Sequence, residues 1–315
     1  MKSIDKLIDT VKGAFGKLYE PVHQKRKAKA SAEEIKLIAQ VLRENTDLPI
    51  TYKSENILIN TENFEELVQR AQNRLAYQEI TKQQNIESVT DKAYDILSSD
   101  IDCSPDPVSQ DWITRFYNSV EDVSDEKMQE LWAKILAGEI KSPGNFSLRT
   151  LDLMSKISQD EAKLFQKILP FVVVDQYNRY LIVTENDFIL KYGVTIGDIL
   201  VLEECGLLFL SETMQACFDI ADSQENYLRS KNIIVKLTGR SADIKTIEIG
   251  VHTLSRFGRE LLKVLDWCTD DKYLLDVVDY MFTKYHGIIK PVAYNILSVS
   301  NNSLKIDKEN PVKIW

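Results

Sequence analysis

The feature that most constrains the fold is a stretch from Asn63 to Ser98 that contains neither proline nor glycine. Its apolar residues recur at spacings of three and four, beginning with Phe64, Leu67 and Val68. This spacing predicts one long amphipathic helix. Residues 78–84 are polar nearly all round, which is typical of a helix that bridges subunits or domains. The alternative is a helix packed within one monomer.

Composition excludes several classes of protein. Hydrophobic residues make up 44% of the 315-residue chain and charged residues 28%, which is the ordinary globular balance of about two domains and not that of a disordered chain. A net charge of −9 disfavours a general nucleic-acid binder. The sequence has no apolar run of 18 residues and no secretory pattern over 1–17, so we expect a cytoplasmic protein without a transmembrane segment.

The first 30 residues have a net charge of the opposite sign to that of the whole chain. They hold eight Lys and Arg against three acidic residues, a net of +5. The spacing of apolar residues predicts an amphipathic helix over about 3–19, followed by a basic run at Lys25, Arg26, Lys27 and Lys29. One interpretation is a helix docked on the rest of the protein with a solvated basic tail. The other is a contact with an anionic surface or a partner, either a membrane or a nucleic-acid backbone.

Residues 103–170 are predicted to form a helical core block. The stretch Ser104-Pro105-Asp106-Pro107 at its start breaks helical structure and is a candidate linker. Ser124 is expected to cap one helix, and Ser158 with Glu161 forms a capping box for another. Trp112 and Trp132 lie at apolar helical positions, which favours core packing. The alternative is a docking groove that would use the following residues: Trp112, Arg115, Phe116, Trp132, Lys134 and Arg149.

The C-terminal half has a different pattern. A hairpin (171–174 with 180–183) is followed by short helices over 187–191 and 196–204 that end at Gly193 and Gly206, a short strand, two strands around the turn 239–242, and a helix from Ser255. This order resembles a winged helix. Its third helix and the residues after it, 194–210, carry three acids and no Lys or Arg, so we favour a protein-interaction winged helix over a DNA reader. The residues of the wing that would contact a partner or nucleic acid are Lys236, Arg240 and Lys245.

Signatures of catalysis are missing from the sequence. There is no glycine-rich nucleotide loop, no Gly-x-Ser-x-Gly and no His-Glu-x-x-His. The three histidines and four cysteines show no metal-ligand spacing. We therefore predict no catalytic residues, no metal and no cofactor. A hydrolase or nuclease whose site is assembled in space stays open as an alternative.

Together these patterns predict an α+β protein with a mainly helical N-terminal and central region and a winged-helix-like C-terminal domain. The predicted segments are a helical region with a long helix and a small hairpin (1–102), a helical core block (103–170), and a winged-helix-like α+β domain with a C-terminal extension (171–315).

Two stretches, Val120–Ile140 and Pro143–Leu151, resemble a bacterial family catalogued as domain-of-unknown-function family 2806. Gly16–Pro21 with the basic run, and Asn73–Leu75, fit the same family, and the resemblance covers roughly residues 1–265. More distantly, Gln129–Ala133 resembles the core of the Abi-alpha abortive-infection proteins. The resemblance implies a bacterial cytosolic protein associated with phage defence, and it transfers no catalytic residue.

The preferred function is a non-enzymatic interaction protein of antiphage defence that forms homo-oligomers and binds a protein partner. A peripheral contact with the membrane would be made by residues 1–30, in which case the cytoplasmic protein would be located at the membrane surface. The first alternative is a DNA-associated winged-helix regulator, in which nucleic acid binds through the wing. The second is the hydrolase or nuclease already named.

Overall fold

A computed structural model describes residues 3–15, 61–98, 103–210, 214–220, 226–239, 246–286, 288–300 and 303–315. In these residues the chain is α+β, as predicted. They form two compact units, one up to Leu151 and one from Asp152. The division into three segments (1–102, 103–170 and 171–315) stays a prediction. The basic run at Lys25, Arg26, Lys27 and Lys29 and the small hairpin predicted before residue 60 lie outside the described residues.

The N-terminal unit is built from helices. They are α1 (Ser3–Phe15), α2 (Thr61–Ser98), α3 (Gln110–Val120), α4 (Glu126–Lys141) and the start of α5 (Leu148–Met154).

The long helix is confirmed as α2, and its two halves differ. The second half buries Val89, Ala93 and Leu97. Ser88 on this half donates a 2.8 Å hydrogen bond to the Gln129 side chain of α4. Residues 66–80 are exposed or half-buried. The apolar stripe therefore drives packing only where other helices cover it.

Helix α4 begins one residue later than the sequence suggested. Asp125, not Ser124, is the N-cap, because its backbone is extended and its carboxylate accepts the Met128 N–H at 3.0 Å. At the other end of the helix, Phe146 packs its ring against Gly138, where a Cβ would lie 2.9 Å from that ring. The stretch that carries the family resemblance is thus a helix closed by its own following turn.

The C-terminal unit combines a sheet with short helices. Its helices are α6 (Gln159–Ile168), two 3₁₀ segments (Leu169–Phe171 and Glu185–Tyr192), α7 (Ile196–Glu204), α8 (Arg256–Leu261) and α9 (Asp271–Lys284). Its strands are β1 (Val173–Asp175), β2 (Tyr180–Val183), β3 (Gln215–Asp219), β4 (Asn226–Arg229), β5 (Ile233–Gly239), β6 (Thr246–Thr253), β7 (Ile289–Ser300) and β8 (Ser303–Ile314).

These strands form one sheet in the order β3-β6-β2-β1-β4-β5-β7-β8, and every neighbouring pair is antiparallel. The predicted hairpin of β1 and β2 is confirmed. Strands β5 and β6 occur where the sequence placed them, but they do not pair with each other. Strand β5 pairs with β4 and β7, whereas β6 pairs with β2 and β3.

The predicted two-stranded wing is therefore wrong in its pairing. Strand β5 buries Ile233, Ile234 and Val235 in succession. Three buried residues in succession mean that both faces of this part of β5 are covered, and its neighbours in the sheet are β4 and β7. A wing strand at the edge would alternate between apolar and polar residues.

Candidate functional site

Helix α7 is fixed firmly at both ends. Thr195 and Asp198 form a capping box, in which the Thr195 hydroxyl accepts the Asp198 N–H and the Asp198 carboxylate accepts the Thr195 N–H. The helix stops at Gly206, whose φ of 78° is left-handed and which an L side chain adopts only with strain. The N–H groups of Leu207 and Leu208 then return to the Leu202 carbonyl at 2.9 and 3.0 Å.

The inner side of α7 holds it to the rest of its unit. Ile199 and Leu202 are buried. Asp198 forms a 3.1 Å ion pair with Lys167 of α6. The Thr195 backbone N–H, followed by Lys167, holds the pKa of the Asp198 carboxyl below its usual range, although partial burial opposes this effect. Asp198 is therefore ionised at neutral pH and satisfied within the unit.

A second polar link joins α7 to the sheet. The buried Glu203 carboxylate lies 3.3 Å from His252 Nε2 of β6, and His252 Nδ1 lies 2.9 Å from the Thr184 hydroxyl. Burial lowers the pKa of His252, and the neighbouring Glu203 opposes this only in part. The neutral imidazole then donates from Nε2 to Glu203 and accepts from Thr184 at Nδ1. Three elements are thereby connected through one ring.

A hydroxyl, an imidazole and a carboxylate in this order also occur in nucleophilic enzymes. Here the ring joins α7 to β6 and to the end of β2, which is a structural task. Among the residues that the structure describes, no group of three or more His, Cys, Asp and Glu is placed to hold a metal ion. The hydrolase alternative remains a prediction.

The outer side of α7 is apolar and open. Successive residues of a helix are turned by 100°, so five residues share one arc of about 140°. We call this arc the α7 face: Ile196, Gly197, Leu200, Val201 and Glu204. Leu200 is 57% exposed and Ile196 46%. Phe209 and Leu210, which follow the helix, are 48% and 83% exposed. A rigid surface of this kind suits contact with another apolar surface.

The sequence of residues 194–210 showed that cations are missing, but the exposed apolar side of α7 was not predicted. A signal was present in the spacing. Ile199, Leu200, Val201 and Leu202 are consecutive apolar residues, so they cover more of the helix circumference than one buried stripe needs.

The three aromatic residues assigned to the predicted docking groove are buried and do not line a groove. Trp112, Phe116 and Trp132 are 4%, 0% and 0% exposed. The first two rings stack at 5.2 Å between centroids, and Phe116 meets Trp132 edge to face at 5.5 Å. They fill the helical core, because three large apolar rings at helical spacing have most to gain from mutual burial. Of the cations assigned to that groove, Arg115 and Arg149 are exposed and Lys134 is half-buried.

The predicted wing residues are not brought together by the described part of the chain. Lys236 is half-buried in β5, in register with Tyr227 of β4 and Val292 of β7. Arg240 and Lys245 lie outside the described residues. Contact of Lys236 with nucleic acid through a wing hairpin therefore has no support from the strand pairing.

No helix among the described segments has both the length and the apolar character that crossing a bilayer requires. Comparison with curated proteins and with solved structures found no significant match. The Abi-alpha resemblance is therefore not confirmed. A family model described as "Protein of unknown function (DUF2806)" matches residues 69–278, two thirds of the chain, from the first half of α2 into α9. The chain belongs to this DUF2806 family, as the resemblance of its central stretch implied.

Proposed function

We propose that this protein is a non-enzymatic interaction protein whose C-terminal unit is a variant of the winged helix. The order of elements supports this: α6, β2, the 3₁₀ segment, α7, β3, β6 and then α8. Three strands adjoin in the order β3-β6-β2, so β6, the last strand of the motif, lies between the other two. Strands β4 and β5 would be an insertion between β3 and β6, which explains why β5 pairs elsewhere.

The α7 face carries the functional proposal. In DNA-binding winged helices the equivalent helix brings cations and amides toward the bases. Residues 194–210 contain no Lys or Arg and three acids, of which Asp198 and Glu203 are bonded inside the unit. Exposed leucine and isoleucine side chains are left on the outside. A phosphate backbone would be repelled there, whereas an apolar protein surface would lose water from both partners.

We propose that a second copy of this chain binds to the α7 face. The first 30 residues carry +5, which leaves −14 for the remainder. Each copy therefore has a cationic segment that can pair with the acidic remainder of its partner at close range, although two copies of net charge −9 repel each other at longer distances. The apolar α7 face then supplies contact energy at short range. This agrees with the homo-oligomer expected from the sequence.

The test is the oligomeric state, measured by sedimentation velocity or light scattering over a range of concentrations. Leu200→Glu places a charge in the centre of the α7 face. Leu297→Glu on β7 is the matched control, since Leu297 is 58% exposed against 57% for Leu200. We expect a concentration-dependent oligomer for the wild type and for Leu297→Glu. Leu200→Glu should weaken association at least tenfold, which is about 1.4 kcal/mol.

A wild-type chain that stays monomeric at its highest soluble concentration would remove the second copy as occupant. An oligomer unaffected by Leu200→Glu would place the interface elsewhere. The electrostatic part is tested by replacing Lys25, Arg26, Lys27 and Lys29 with Gln. Removal of residues 1–30 is less clean, because it takes away α1, which buries Leu7 and Val11.

The association with antiphage defence is a separate proposal, which rests on the Abi-alpha resemblance. It is tested by phage plating on cells that express the wild type, Leu200→Glu or Leu297→Glu. We expect protection from the wild type and the control and its loss with Leu200→Glu. Equal plating on cells with and without the wild-type protein would argue against a defence role.

A further inference from the structure

A second surface of the C-terminal unit has the opposite character. Between α8 and the start of β2 lies an open groove of about 720 Å³. We call it the basic groove and define it by six of its lining residues: Asn178, Tyr180, Arg256, Arg259, Lys263 and Trp267. The helix supplies one wall. Arg256, Arg259 and Lys263 lie three and four residues apart, so they follow one side of α8 and its extension, and all three are exposed.

The residues that line the groove carry more positive than negative charges. Arg256 forms a 2.6 Å ion pair with the buried carboxylate of Glu260. Arg259 makes no ion pair among the described residues. Counting Glu260, which also lines the groove, three cations and one anion leave +2 in a chain whose total charge is −9. The site is locally attractive to an anion on a protein that otherwise repels anions.

Asn178 lines the groove and is bonded to an arginine that does not line it. Asn178 accepts a long, 3.5 Å hydrogen bond from Arg229 Nη2 of β4, whose buried Nε has no hydrogen-bond partner among the described residues. Asn178 itself has a φ of 55°, which sets it at the tip of the β1–β2 turn, beside the groove.

Flat aromatic surface accompanies these cations. Tyr180 and Trp267 are half-buried, and their rings meet at 5.9 Å between centroids with an angle of 62°. Indole and phenol faces stack with nucleobases of any sequence. Guanidinium and ammonium groups bind phosphate oxygens. A volume of this size falls within the range of small-molecule sites.

From this combination we propose that the basic groove binds a nucleoside phosphate, with its phosphate at Arg259 and Lys263 and its base against Trp267. The ligand chemistry has two sources, a free nucleotide or an unpaired segment of nucleic acid. An acidic peptide would satisfy the cations but would leave the aromatic face unused. The groove lies on α8 and β2, not on the α7 face, so this proposal does not depend on self-association.

Isothermal titration calorimetry on the full chain tests it with four probes: adenosine 5′-monophosphate, a single-stranded oligonucleotide, polyglutamate and inorganic phosphate. We expect binding of the mononucleotide or the oligonucleotide, and which of them binds more tightly identifies the source. Arg259→Glu should weaken binding at least tenfold. Arg149→Glu, the same charge change at an exposed arginine of the N-terminal unit, should leave it unchanged.

The role of the ring is tested separately. Trp267→Ala should weaken binding at least fivefold, and Trp267→Phe should restore most of it, because the flat face is kept. If Trp267→Ala fails to fold, Trp267→Leu takes its place, because leucine keeps apolar bulk without the flat face and should show the same loss. For the oligonucleotide, raising salt from 50 to 200 mM should reduce affinity by about tenfold if two to three phosphates are contacted.

Several results would overturn the proposal. They are an absence of binding to both nucleoside phosphates, equal binding of polyglutamate, or binding that Arg259→Glu and Arg149→Glu reduce alike. Binding of inorganic phosphate as tightly as the mononucleotide would also overturn it, since the aromatic wall would then contribute nothing.

Discussion

Replacement of Glu139 by Gln tests how the central helical motif is held together. Glu139 is 2% exposed near the end of α4. Its Oε1 accepts the Gly144 N–H at 2.6 Å, and its Oε2 accepts the Phe146 N–H at 3.0 Å. The same turn supplies the Phe146 carbonyl to Trp112 Nε1 at 2.8 Å. One carboxylate thus fastens the turn that covers the aromatic core.

The magnitude follows from the two bonds. A glutamine side chain keeps one acceptor oxygen but turns an NH₂ group toward the second backbone N–H. That N–H is left without a partner, at a cost of about 1–3 kcal/mol. The remaining bond loses its charge, which is worth roughly a further 1 kcal/mol. Relief from burying a charge acts in the opposite direction. We expect a net loss of about 2–4 kcal/mol in the free energy of unfolding.

The assay is urea unfolding followed by tryptophan fluorescence, because Trp112 and Trp132 are both buried in the N-terminal unit. For an m-value of roughly 2 kcal/mol/M, a loss of about 3 kcal/mol lowers the midpoint by about 1.5 M. Glu130→Gln is the control, since Glu130 is exposed on the same helix. Its effect should stay within about 0.5 kcal/mol. If Glu139→Gln behaved like this control, desolvation of the carboxylate would cancel both hydrogen bonds and the reasoning would fail.

Three further predictions concern the C-terminal unit. Gly197→Ala should stabilise it by about 0.5–1 kcal/mol in thermal or urea unfolding, because the nearest described atom to the new Cβ, Thr195 Oγ1, lies 3.6 Å away and helical glycine is unfavourable. Gly258→Ala should destabilise it by at least about 2 kcal/mol, since a Cβ there would lie 2.4 Å from the Leu207 carbonyl oxygen; a wild-type melting temperature would refute this. Burial lowers the pKa of His252 in the folded state, so the unfolded chain binds more protons and stability falls as pH drops below the ordinary value of 6.5. His252→Gln should remove that part of the pH dependence, measured as the difference between the two unfolding profiles.

Local signals in the sequence predicted most helices of the described chain. The capping box of Ser158 and Glu161 opens α6 at the expected residue, and Gly193 and Gly206 have the left-handed φ that ends a helix. These signals work because a cap needs only residues that are neighbours in sequence. Ser124 failed by one position, since Asp125 next to it is an equally good cap and only the backbone decides between them.

Pairing of strands could not be predicted in the same way. Strands β3 and β4 were missed, because β3 (Gln215–Asp219) and β4 (Asn226–Arg229) are short and partly polar. Without them, β5 and β6 looked like consecutive strands of a hairpin. The choice of partner depends on contacts distant in sequence, which no local pattern specifies.

The sequence likewise predicted only part of the α7 face and of the basic groove. Arg256, Arg259 and Lys263 lie three and four residues apart, which is typical of one exposed side of a helix, and they are exposed. Their assembly with Tyr180 and Trp267 into a groove required the fold, because Tyr180 begins a strand far earlier in the chain. Exposure of Leu200 similarly depends on which side of α7 the sheet covers.

The α7 face and the basic groove are joined by tight backbone packing, which leads to a last prediction. The Ser255 N–H donates to the Leu207 carbonyl at 2.9 Å, and Gly258 lies against the same carbonyl. Helix α8 therefore has little room to move relative to the end of α7. Coupling between two sites needs an element with two arrangements that both ligands bias. We expect saturating nucleotide to change the dissociation constant of self-association less than about threefold, well below typical allosteric factors.

Sedimentation with and without nucleotide measures this coupling directly. By linkage, the same factor must appear in nucleotide affinity measured below and above the oligomer's dissociation constant. A matching change of tenfold in both experiments would show that the α7–α8 junction moves, in contradiction to its packing. A change in only one of them would violate linkage, and it would show that one of the two measurements had not reached equilibrium.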